Sequence, residues 1–256
     1  MKNCIIIGGG IIGLSTAYYL QKEGCNVTVL DQSNMDGLTG GASYVNAGYL
    51  TPSHIISLAA TGMISKGIKY MFNSTSPFYM KPRLDIDFLK WTWYFKKSAT
   101  QNKVERAMPV IKDINLLSRD LYEEIYNSND LGQFQLGKKG LLMLYKTDKA
   151  GEAESKIARI AEGMNLESVV LNAKELNAIE PKVSAEVKGA IHYLCDFHTS
   201  PNEIMSSMKI YLEKNGVVFL KNEKVVDFAI KNKNITEIIT DKNSYKGDEI
   251  ILATGS

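Results

Sequence analysis

The sequence predicts an α/β fold organised around a parallel sheet, and three observations lead to this prediction. An apolar run at the N-terminus, Cys4–Ile7, leads through a glycine-rich segment into a helix-like stretch from Leu14 to Lys22. A second β-rich run, 27–30, ends on Asp31. A late apolar run, 248–254, ends in Ala-Thr-Gly. Strand, helix and strand in this order indicate a βαβ unit, whose two strands are parallel.

Composition places the chain among ordinary globular proteins. It has 256 residues, of which 45% are hydrophobic and 23% charged. A net charge of +2 is too small to indicate a nucleic-acid partner, and no lysine/arginine block interleaved with aromatic residues is present. The three cysteines, Cys4, Cys25 and Cys195, lack metal-ligand spacing, which favours reduced thiols and a reducing compartment. No metal site is expected.

The glycine-rich segment has the spacing of a dinucleotide-binding turn. Gly8 allows a tight turn, Gly10 lets the backbone approach a pyrophosphate, and Gly13 lets helix and strand pack closely. The helix that follows offers free N–H groups and a positive dipole end to phosphates. Asp31, at the end of the second strand, is placed to accept hydrogen bonds from a ribose. The sequence therefore predicts a dinucleotide site here.

The next part of the chain is predicted to contain a loop and three helices. Residues 37–52 are rich in glycine, serine and asparagine, and 55–72 have a helical pattern. The aromatic segment 85–97 ends in lysines, as a helix C-terminus does, and contains both tryptophans. Inward packing of its rings is favoured, with a helix lying on a membrane surface as the alternative. Apolar residues recur at helical spacing over 104–127.

The remaining elements alternate between strands and helices. A buried strand, a helix, a strand and a short helix are predicted over 140–145, 150–164, 167–171 and 172–180, the last with an Asn172/Glu175 capping pair. Ser200, Pro201 and Glu203 indicate a helix start with a capping box. Three β segments follow, 217–230, 235–240 and 248–254. Residues 1–20 form the first strand and its turn rather than a signal peptide. No apolar run reaches the about 18 residues of a membrane span.

Taken together, these motifs resemble the D-amino-acid oxidase/dehydrogenase superfamily of FAD enzymes, and most closely its bacterial D-amino-acid dehydrogenases. The segment Ser43-x-x-Asn46-Ala47-Gly48 is the most specific part of the resemblance, because generic NAD dehydrogenases lack it. The matching pieces extend over the whole chain and comprise Ile7–Gly13, Asp31, Ala42–Gly48, Asp196 with Pro201, Val225 and Ala253–Gly255.

The resemblance implies a glutathione-reductase-like FAD/NAD(P)-binding Rossmann fold with an inserted α+β substrate domain. The FAD-binding domain would be discontinuous, over 1–75, 180–225 and 245–256. The substrate domain would be partial, built from 76–180 with 226–244 near the boundary. Family members continue well beyond Ser256, so the chain is expected to be truncated at its C-terminus. The missing part would carry the arginine that binds the substrate carboxylate, and the chain alone is expected to be poorly soluble and inactive, with at most weak FAD binding.

The same resemblance implies a set of cofactor-binding residues. By it, the pyrophosphate would lie on the glycine turn, the adenosine ribose on Asp31, the path to the isoalloxazine on the segment from Ser43 to Gly48, and the adenine on the backbone of Val225. From composition alone, residues 40–48 are also typical of a flexible surface loop. The full predicted set is Gly8, Gly10, Ile11, Ile12, Gly13, Asp31, Gln32, Ser43, Asn46, Ala47, Gly48, Val225, Ala253, Thr254 and Gly255.

The activity implied is oxidation of D-amino or secondary amino acids. Hydride would pass from the substrate α-carbon to the flavin, and the imino acid would hydrolyse to a 2-oxo acid, so no catalytic acid–base pair is expected in this chain. Tyr49, Thr51 and His54 are candidates for the substrate side, although a structural or exposed role is favoured for His54. The expected location is cytoplasmic, with a peripheral position on the inner face of the cell membrane as an alternative.

Two other functions remain open from the sequence. One is an NAD(P)-dependent Rossmann dehydrogenase, which would leave Ser43–Gly48 and Ala253–Gly255 without a role. The other is an inactive flavoprotein fragment, or a subunit that requires a partner chain.

Overall fold

The computed structural model describes residues 1–35, 41–57, 59, 85–182 and 186–255. The described helices are α1 (Ile11–Lys22), α2 (Gly41–Tyr44), α3 (Ile86–Ser98), α4 (Gln101–Ser128), α5 (Asp148–Glu162), α6 (Ala173–Ile179) and α7 (Pro201–Lys214). The described strands are β1 (Asn3–Ile7), β2 (Asn26–Leu30), β3 (Tyr49–Leu50), β4 (Leu136–Gly137), β5 (Leu141–Tyr145), β6 (Ser168–Asn172), β7 (Gly189–Tyr193), β8 (Phe197–Thr199), β9 (Val218–Leu220), β10 (Val225–Lys231), β11 (Asn234–Thr240), β12 (Ser244–Tyr245) and β13 (Glu249–Leu252).

The chain forms two compact units. The first unit contains Met1–Tyr49, Tyr122–Gly137 and His198–Ser256, and the second contains Leu50–Leu121 and Lys138–Phe197. Each has its own hydrophobic core.

The first unit is built on a parallel sheet with the strand order β13-β1-β2-β9. In register, Ile5 of β1 lies between Thr28 of β2 and Ile250 of β13. All of these pairings are parallel. The first and the last strand of the chain therefore share one sheet, as the sequence predicts.

Helices α1 and α7 form the core of the first unit. Leu14, Ala17 and Tyr18 on α1 are buried in the same cluster as Met205 and Leu212 on α7. A polar contact anchors the outer end of α1, because Tyr18 donates a hydrogen bond of 2.6 Å to Asp130. That bond and the ammonium of Lys22 at 3.1 Å hold the pKa of the Asp130 carboxyl below its usual value.

An antiparallel sheet of β10, β11 and β12 completes the first unit. Glu223, just before β10, is buried, and its carboxylate accepts hydrogen bonds from Thr240 at 2.6 Å and Tyr245 at 2.7 Å. Its backbone N–H donates to the carbonyl of Asp31 at 3.0 Å. These bonds join the start of β10 to the loop after β2.

The second unit contains an antiparallel sheet of order β5-β7-β6, covered by α5. Ala158 and Ala161 of α5 are buried with Ile191 and Tyr193 of β7. The capping box predicted at Asn172 and Glu175 is present at the start of α6.

Several expectations about exposure are wrong. No residue of α3 is buried; its rings stack on one another instead, with centroids 5.2 Å apart for Trp91 and Phe95. On α4, the apolar face is only partly covered: Val110 and Ile114 are more than half exposed, whereas Val104, Met108 and Ile125 are buried. Strand β5 is only partly buried. Amphipathic spacing identifies a helix, but it does not say which neighbour covers a face.

Two further expectations concern helix boundaries. At the start of α7, Ser200 makes no side-chain capping bond, and the Glu203 carboxylate accepts from the backbone N–H of Gln135 at 2.8 Å rather than from that of Ser200, so the predicted capping box is absent. Of the predicted helix over 55–72, residues 55–57 and 59 are described and are not helical. Residues 58 and 60–72 lie outside the described ranges.

The compact units differ from the predicted domain boundaries. Residues 122–137 and 226–244 group with the first unit, whereas 180–197 group with the second. The reason is pairing, since β7 lies between β5 and β6. The boundary at 75/76 lies outside the described residues, and the assignment of cofactor and substrate domains stays a prediction. Among the described helices, none combines the length and apolar character needed to cross a bilayer.

Candidate functional site

A cleft of about 540 Å³ opens in the first unit where β1, β2 and β13 end and α1 begins. In open α/β sheets, ligands bind at the carboxyl ends of the parallel strands. The volume is within the range of small-molecule and cofactor sites. The residues that line it are Gly8, Gly9, Gly10, Ile12, Asp31, Gln32, Ser33, Met35, Gly41, Ala42, Ser43, Tyr44, Leu252, Ala253, Thr254 and Gly255.

Glycine is required where β1 turns into α1, because other backbone lies against it. Gly8 has φ +110°, and a methyl group there would overlap the carbonyl oxygen of Ala253. A methyl group on Gly13 would overlap the carbonyl oxygen of Gly8. The amide of Gly8 donates to Leu30 at 2.8 Å, and that of Ala253 to Ile7 at 2.8 Å. The turn is thus closely packed between β2 and the end of β13.

Gly10 differs from these glycines. It precedes α1 with φ −73° and ψ −178°, a conformation open to any residue. A Cβ atom there would meet only Ser43, with the hydroxyl oxygen at 3.0 Å. The serine hydroxyl accepts a hydrogen bond of 3.0 Å from the N–H of Ile11. The first turn of α1 therefore faces the cleft with its dipole end, where an anion is stabilised.

The carboxylate of Asp31 holds the glycine turn from the side of β2. One oxygen accepts from the N–H of Gly9 at 2.6 Å. The other accepts from the N–H of Ser33 at 2.8 Å and from its hydroxyl at 2.7 Å. Asp31 is partly exposed and lines the cleft. The acid predicted to contact a ribose therefore also fixes the shape of the site.

The side chain of Asn46 is occupied within its own loop. Its amide nitrogen donates to the carbonyls of Ala42 at 3.0 Å and Ser43 at 2.9 Å, and its oxygen accepts from Gly48 at 2.8 Å. The carbonyl of Gly48 in turn accepts from Thr199 at 2.8 Å. Ser43 lines the cleft, whereas Asn46, Ala47 and Gly48 do not.

The structure therefore brings together most of the predicted cofactor-binding set. The predicted residues that line the cleft are Gly8, Gly10, Ile12, Asp31, Gln32, Ser43, Ala253, Thr254 and Gly255. Those that do not line it are Ile11, Gly13, Asn46, Ala47, Gly48 and Val225, although the first two shape its wall. Contact of any of these residues with a cofactor stays a prediction.

The predicted set lacks seven residues that line the cleft, Gly9, Ser33, Met35, Gly41, Ala42, Tyr44 and Leu252, of which Met35 and Ser33 also make specific contacts within the site. Met35 is buried with φ 55°, unusual for a residue with a side chain, and its carbonyl accepts from Lys209 at 3.0 Å. Its thioether end lies beside Gly9, where a Cβ atom would overlap it. Ser33, two residues after an aspartate, has a local turn signature that could have been recognised. Met35 has no such signal, since its partner Lys209 is distant in sequence.

The candidate substrate-side residues are distributed over both units. Tyr49, in the first unit, is 62% exposed. In the second unit, the N–H of His54 donates to the carbonyl of Thr51 at 3.1 Å, which closes a tight turn. His54 itself is exposed, as favoured from the sequence. Ser53 fixes this turn, because its N–H and hydroxyl donate to the buried Asp196 at 3.0 and 2.5 Å.

The family of the chain is shown by comparison with known proteins. A model of the FAD-dependent oxidoreductase (DAO) family matches residues 3–256. The chain belongs to the DAO family of FAD-dependent oxidoreductases. It is 33% identical over 255 residues to a D-amino acid dehydrogenase of Helicobacter pylori, and 26% identical over 258 residues to one of Vibrio atlanticus. These alignments cover 100% and 98% of the chain.

Solved structures show the same fold. Glycine oxidase from Geobacillus kaustophilus superposes over 100% of the chain with a TM-score of 0.71 and 16% sequence identity. L-proline dehydrogenase from P. horikoshii superposes over 99% with a TM-score of 0.62 and 20% identity. The predicted FAD/NAD(P)-binding Rossmann fold is thereby confirmed. The chain spans 60% of the length of the two D-amino acid dehydrogenases, and 56% and 53% of the two structures.

The cleft fits FAD, the cofactor on which the oxidoreductases of this family depend. It offers a glycine turn whose close packing leaves backbone at the surface, a helix N-terminus for a pyrophosphate and a carboxylate for a ribose. Small residues at the end of β13, Ala253 to Gly255, leave room for a ligand to approach the backbone.

Proposed function

We propose that this chain supplies the FAD-binding part of a D-amino-acid dehydrogenase. The observation that carries the proposal is the cleft itself, in which the N-terminus of α1, the carboxylate of Asp31 and the end of β13 line one volume of about 540 Å³. An NAD(P)-dependent dehydrogenase is the weaker alternative, because the chain belongs to a family of FAD enzymes.

In this proposal, each wall of the cleft has one task. The first turn of α1, with Gly10 and Ile12, binds the pyrophosphate through backbone N–H groups and the helix dipole. Asp31 accepts hydrogen bonds from the adenosine ribose while it retains those from Gly9 and Ser33. Ser43 lies close enough to Gly10 to contact the same phosphates.

The proposed reaction oxidises a D-amino or secondary amino acid to an imino acid, which water converts to a 2-oxo acid. When bound, FAD supplies the two-electron acceptor for this step. The D-amino acid substrate is supported by the names of the relatives at 33% and 26% identity. The structural neighbours, which include glycine oxidase and L-proline dehydrogenase, support amino-acid oxidation more generally. Tyr49, Thr51 and His54 remain candidates for the substrate side.

The test has two steps. First, FAD is titrated into the purified chain and binding is followed by quenching of flavin fluorescence; saturable one-to-one binding is expected, and NADH and NADPH should not compete. Second, the full-length gene product is assayed with D-alanine, D-proline and D-hydroxyproline and an artificial electron acceptor, with L-alanine as the control. Failure to bind FAD, or equal turnover of L- and D-alanine, would contradict the proposal.

We also propose that α3 contacts an anionic membrane surface. Trp91, Trp93 and Tyr94 on this helix are each about half exposed, and no residue of α3 is buried. Lysines follow in its last turn, where Lys97 lies over the ring of Trp93 at 5.1 Å. Exposed aromatic rings next to lysines are typical of helices that lie at a lipid interface.

Co-sedimentation with vesicles tests this contact. Vesicles that contain anionic phospholipid should bind the chain, neutral vesicles should bind it less, and the double variant Trp91→Ser/Trp93→Ser should lose most of the binding. Equal binding of wild type and this variant would contradict the role of α3. The exposed Tyr126, changed to Ser, provides a control ring outside the helix.

A further inference from the structure

A second cavity lies in the other unit and is independent of the cofactor cleft. It has a volume of about 190 Å³, is partly open to solvent, and is lined by residues of α5, of β5, of β7 and of the segment after β3. This space is large enough for several water molecules or a small organic ligand. Its walls are apolar at Ile56, Met143 and Ile157, and polar at Tyr193, Glu154 and His54.

The first unusual feature of this cavity is the hydroxyl of Tyr193. The side chain is only 2% exposed. Buried tyrosine hydroxyls almost always have a hydrogen-bond partner. The hydroxyl of Tyr193 has no hydrogen-bond partner among the described residues. It also keeps some surface that the protein does not cover. Tyr193 lines the cavity, so a ligand there could supply the missing hydrogen-bond partner.

The second feature is negative charge without a compensating cation. Glu154 is half-buried at the cavity wall, and no ion pair is found for it in the described part of the chain. Burial and the nearby carboxylates of Glu154 and Asp196 raise the pKa of Tyr193 to about 12. The phenol therefore stays protonated near neutral pH, and the surrounding potential favours a cation.

The third feature is a rigid frame on one side. Asp196 is fully buried and accepts two hydrogen bonds from Ser53, of 3.0 Å from the N–H and 2.5 Å from the hydroxyl. The same hydroxyl lies 3.3 Å from Nδ1 of His54. The wall that carries His54 is thus held in place before any ligand arrives, which lowers the entropy cost of binding.

We propose that this cavity binds a small aliphatic amine in its protonated form, with the ammonium group between Glu154 and the hydroxyl of Tyr193 and the alkyl chain against Ile56, Met143 and Ile157. The carboxylate supplies a charge-assisted hydrogen bond, and the phenol oxygen accepts a second one. An amino acid should bind less well than a simple amine, because its own carboxylate would face the same negative wall.

Isothermal titration of the 256-residue chain with butylamine hydrochloride tests the proposal directly. One-to-one binding is expected, with D-alanine, 1-butanol and sodium butyrate each at least tenfold weaker. Loss of one charge-assisted hydrogen bond corresponds to about tenfold or more in Kd, so Glu154→Gln should weaken butylamine binding by that factor. Tyr193→Phe keeps the ring and should weaken it several-fold.

Glu152→Gln is the matched control, because Glu152 is an exposed acid on the same helix and does not line the cavity. It should bind butylamine like wild type. If Tyr193→Phe fails to fold, the proposal is still tested by comparing butylamine binding by Glu154→Gln with that by Glu152→Gln. Absence of saturable binding, equal binding of butanol or butyrate, or unchanged binding by Glu154→Gln would overturn the proposal. FAD titration of the same samples reports separately on the cofactor cleft.

Discussion

Gly10 separates cofactor binding from folding better than any other position in the glycine turn. Its φ of −73° suits any residue, and an added methyl group would touch only Ser43. Replacing glycine by alanine at a compatible φ stabilises a protein by about 0.4–1 kcal/mol through the unfolded chain. The poorer helix-capping preference of alanine and the tight 3.0 Å contact with the Ser43 hydroxyl oppose this gain. The free energy of unfolding of Gly10→Ala should therefore stay within about 1 kcal/mol of wild type.

The same methyl group should strongly weaken FAD binding. It would lie where the proposed pyrophosphate approaches the backbone, and would displace the phosphate from the N–H groups of α1. Losing one or two hydrogen bonds to a charged group, at about 1.5 kcal/mol each, weakens binding by roughly tenfold to more than a hundredfold. The bulkier Gly10→Val should abolish binding. The assay is titration with FAD by flavin fluorescence, paired with a thermal melt of each variant without FAD.

Gly24 provides the opposite control. It lies just after α1 with φ +80°, and a Cβ atom added there would have no other atom within 4 Å. Alanine there is strained by about 1–2 kcal/mol, so Gly24→Ala should lower the melting temperature while the folded protein binds FAD normally. If Gly10→Ala binds FAD like wild type, or if its affinity falls only in step with a loss of stability, the assignment of the pyrophosphate to α1 is refuted.

Two further predictions concern charge. Asp31→Asn keeps an acceptor for Ser33 but presents an N–H group to the N–H of Gly9. The substitution should therefore lower the melting temperature by about 3–6 °C and also weaken FAD binding. An unchanged melting temperature would show that the 2.6 Å bond between Gly9 and Asp31 contributes little. Burial raises the pKa of both the Cys195 thiol and the Tyr193 phenol to about 12, from 9.0 and 10.0. The folded state thus holds these protons longer than the unfolded state, so the contribution of these two groups to stability should be level below pH 9.0 and fall as the pH rises towards about 12. Cys195→Ser should make that fall shallower, and an identical pH profile for the variant would contradict the assignment.

The glycine turn could be predicted from sequence because the constraint on Gly13 is local and the glycine spacing recurs in βαβ units of this kind. Gly8 and Gly13 are required by backbone atoms a few residues away or on the adjoining strand end. The capping box of α6 was predictable for the same reason, since Asn172 and Glu175 need only each other.

Features that depend on distant partners could not be predicted. Glu203 has the right spacing for a capping box, but Gln135 competes for its carboxylate from a part of the chain 68 residues away. The aromatic residues of α3 carry no signal that distinguishes burial from exposure, because ring contacts within the helix satisfy the same pattern. The clamp between Ser53 and Asp196 joins positions 143 residues apart. Residue spacing alone therefore could not predict the Glu203–Gln135 bond, the exposure of the α3 rings or the Ser53–Asp196 bonds.

The Ser43–Gly48 segment shows why a motif can identify a family without every residue touching the ligand. The side-chain amide of Asn46 donates to the carbonyl of Ala42 in α2 and accepts from the N–H of Gly48. The carbonyl of Gly48 accepts from the N–H of Thr199. A side chain at position 48 would overlap the carbonyl oxygen of Thr199, so packing alone requires glycine at this position. Only Ser43 and Tyr44 of this segment line the cleft, and the Ser43 hydroxyl is held 3.0 Å from the backbone nitrogen of Ile11 at the start of α1. The pattern is therefore specific because the same few residues must form the hydrogen bonds of Asn46 within the loop and also place Ser43 at the start of α1.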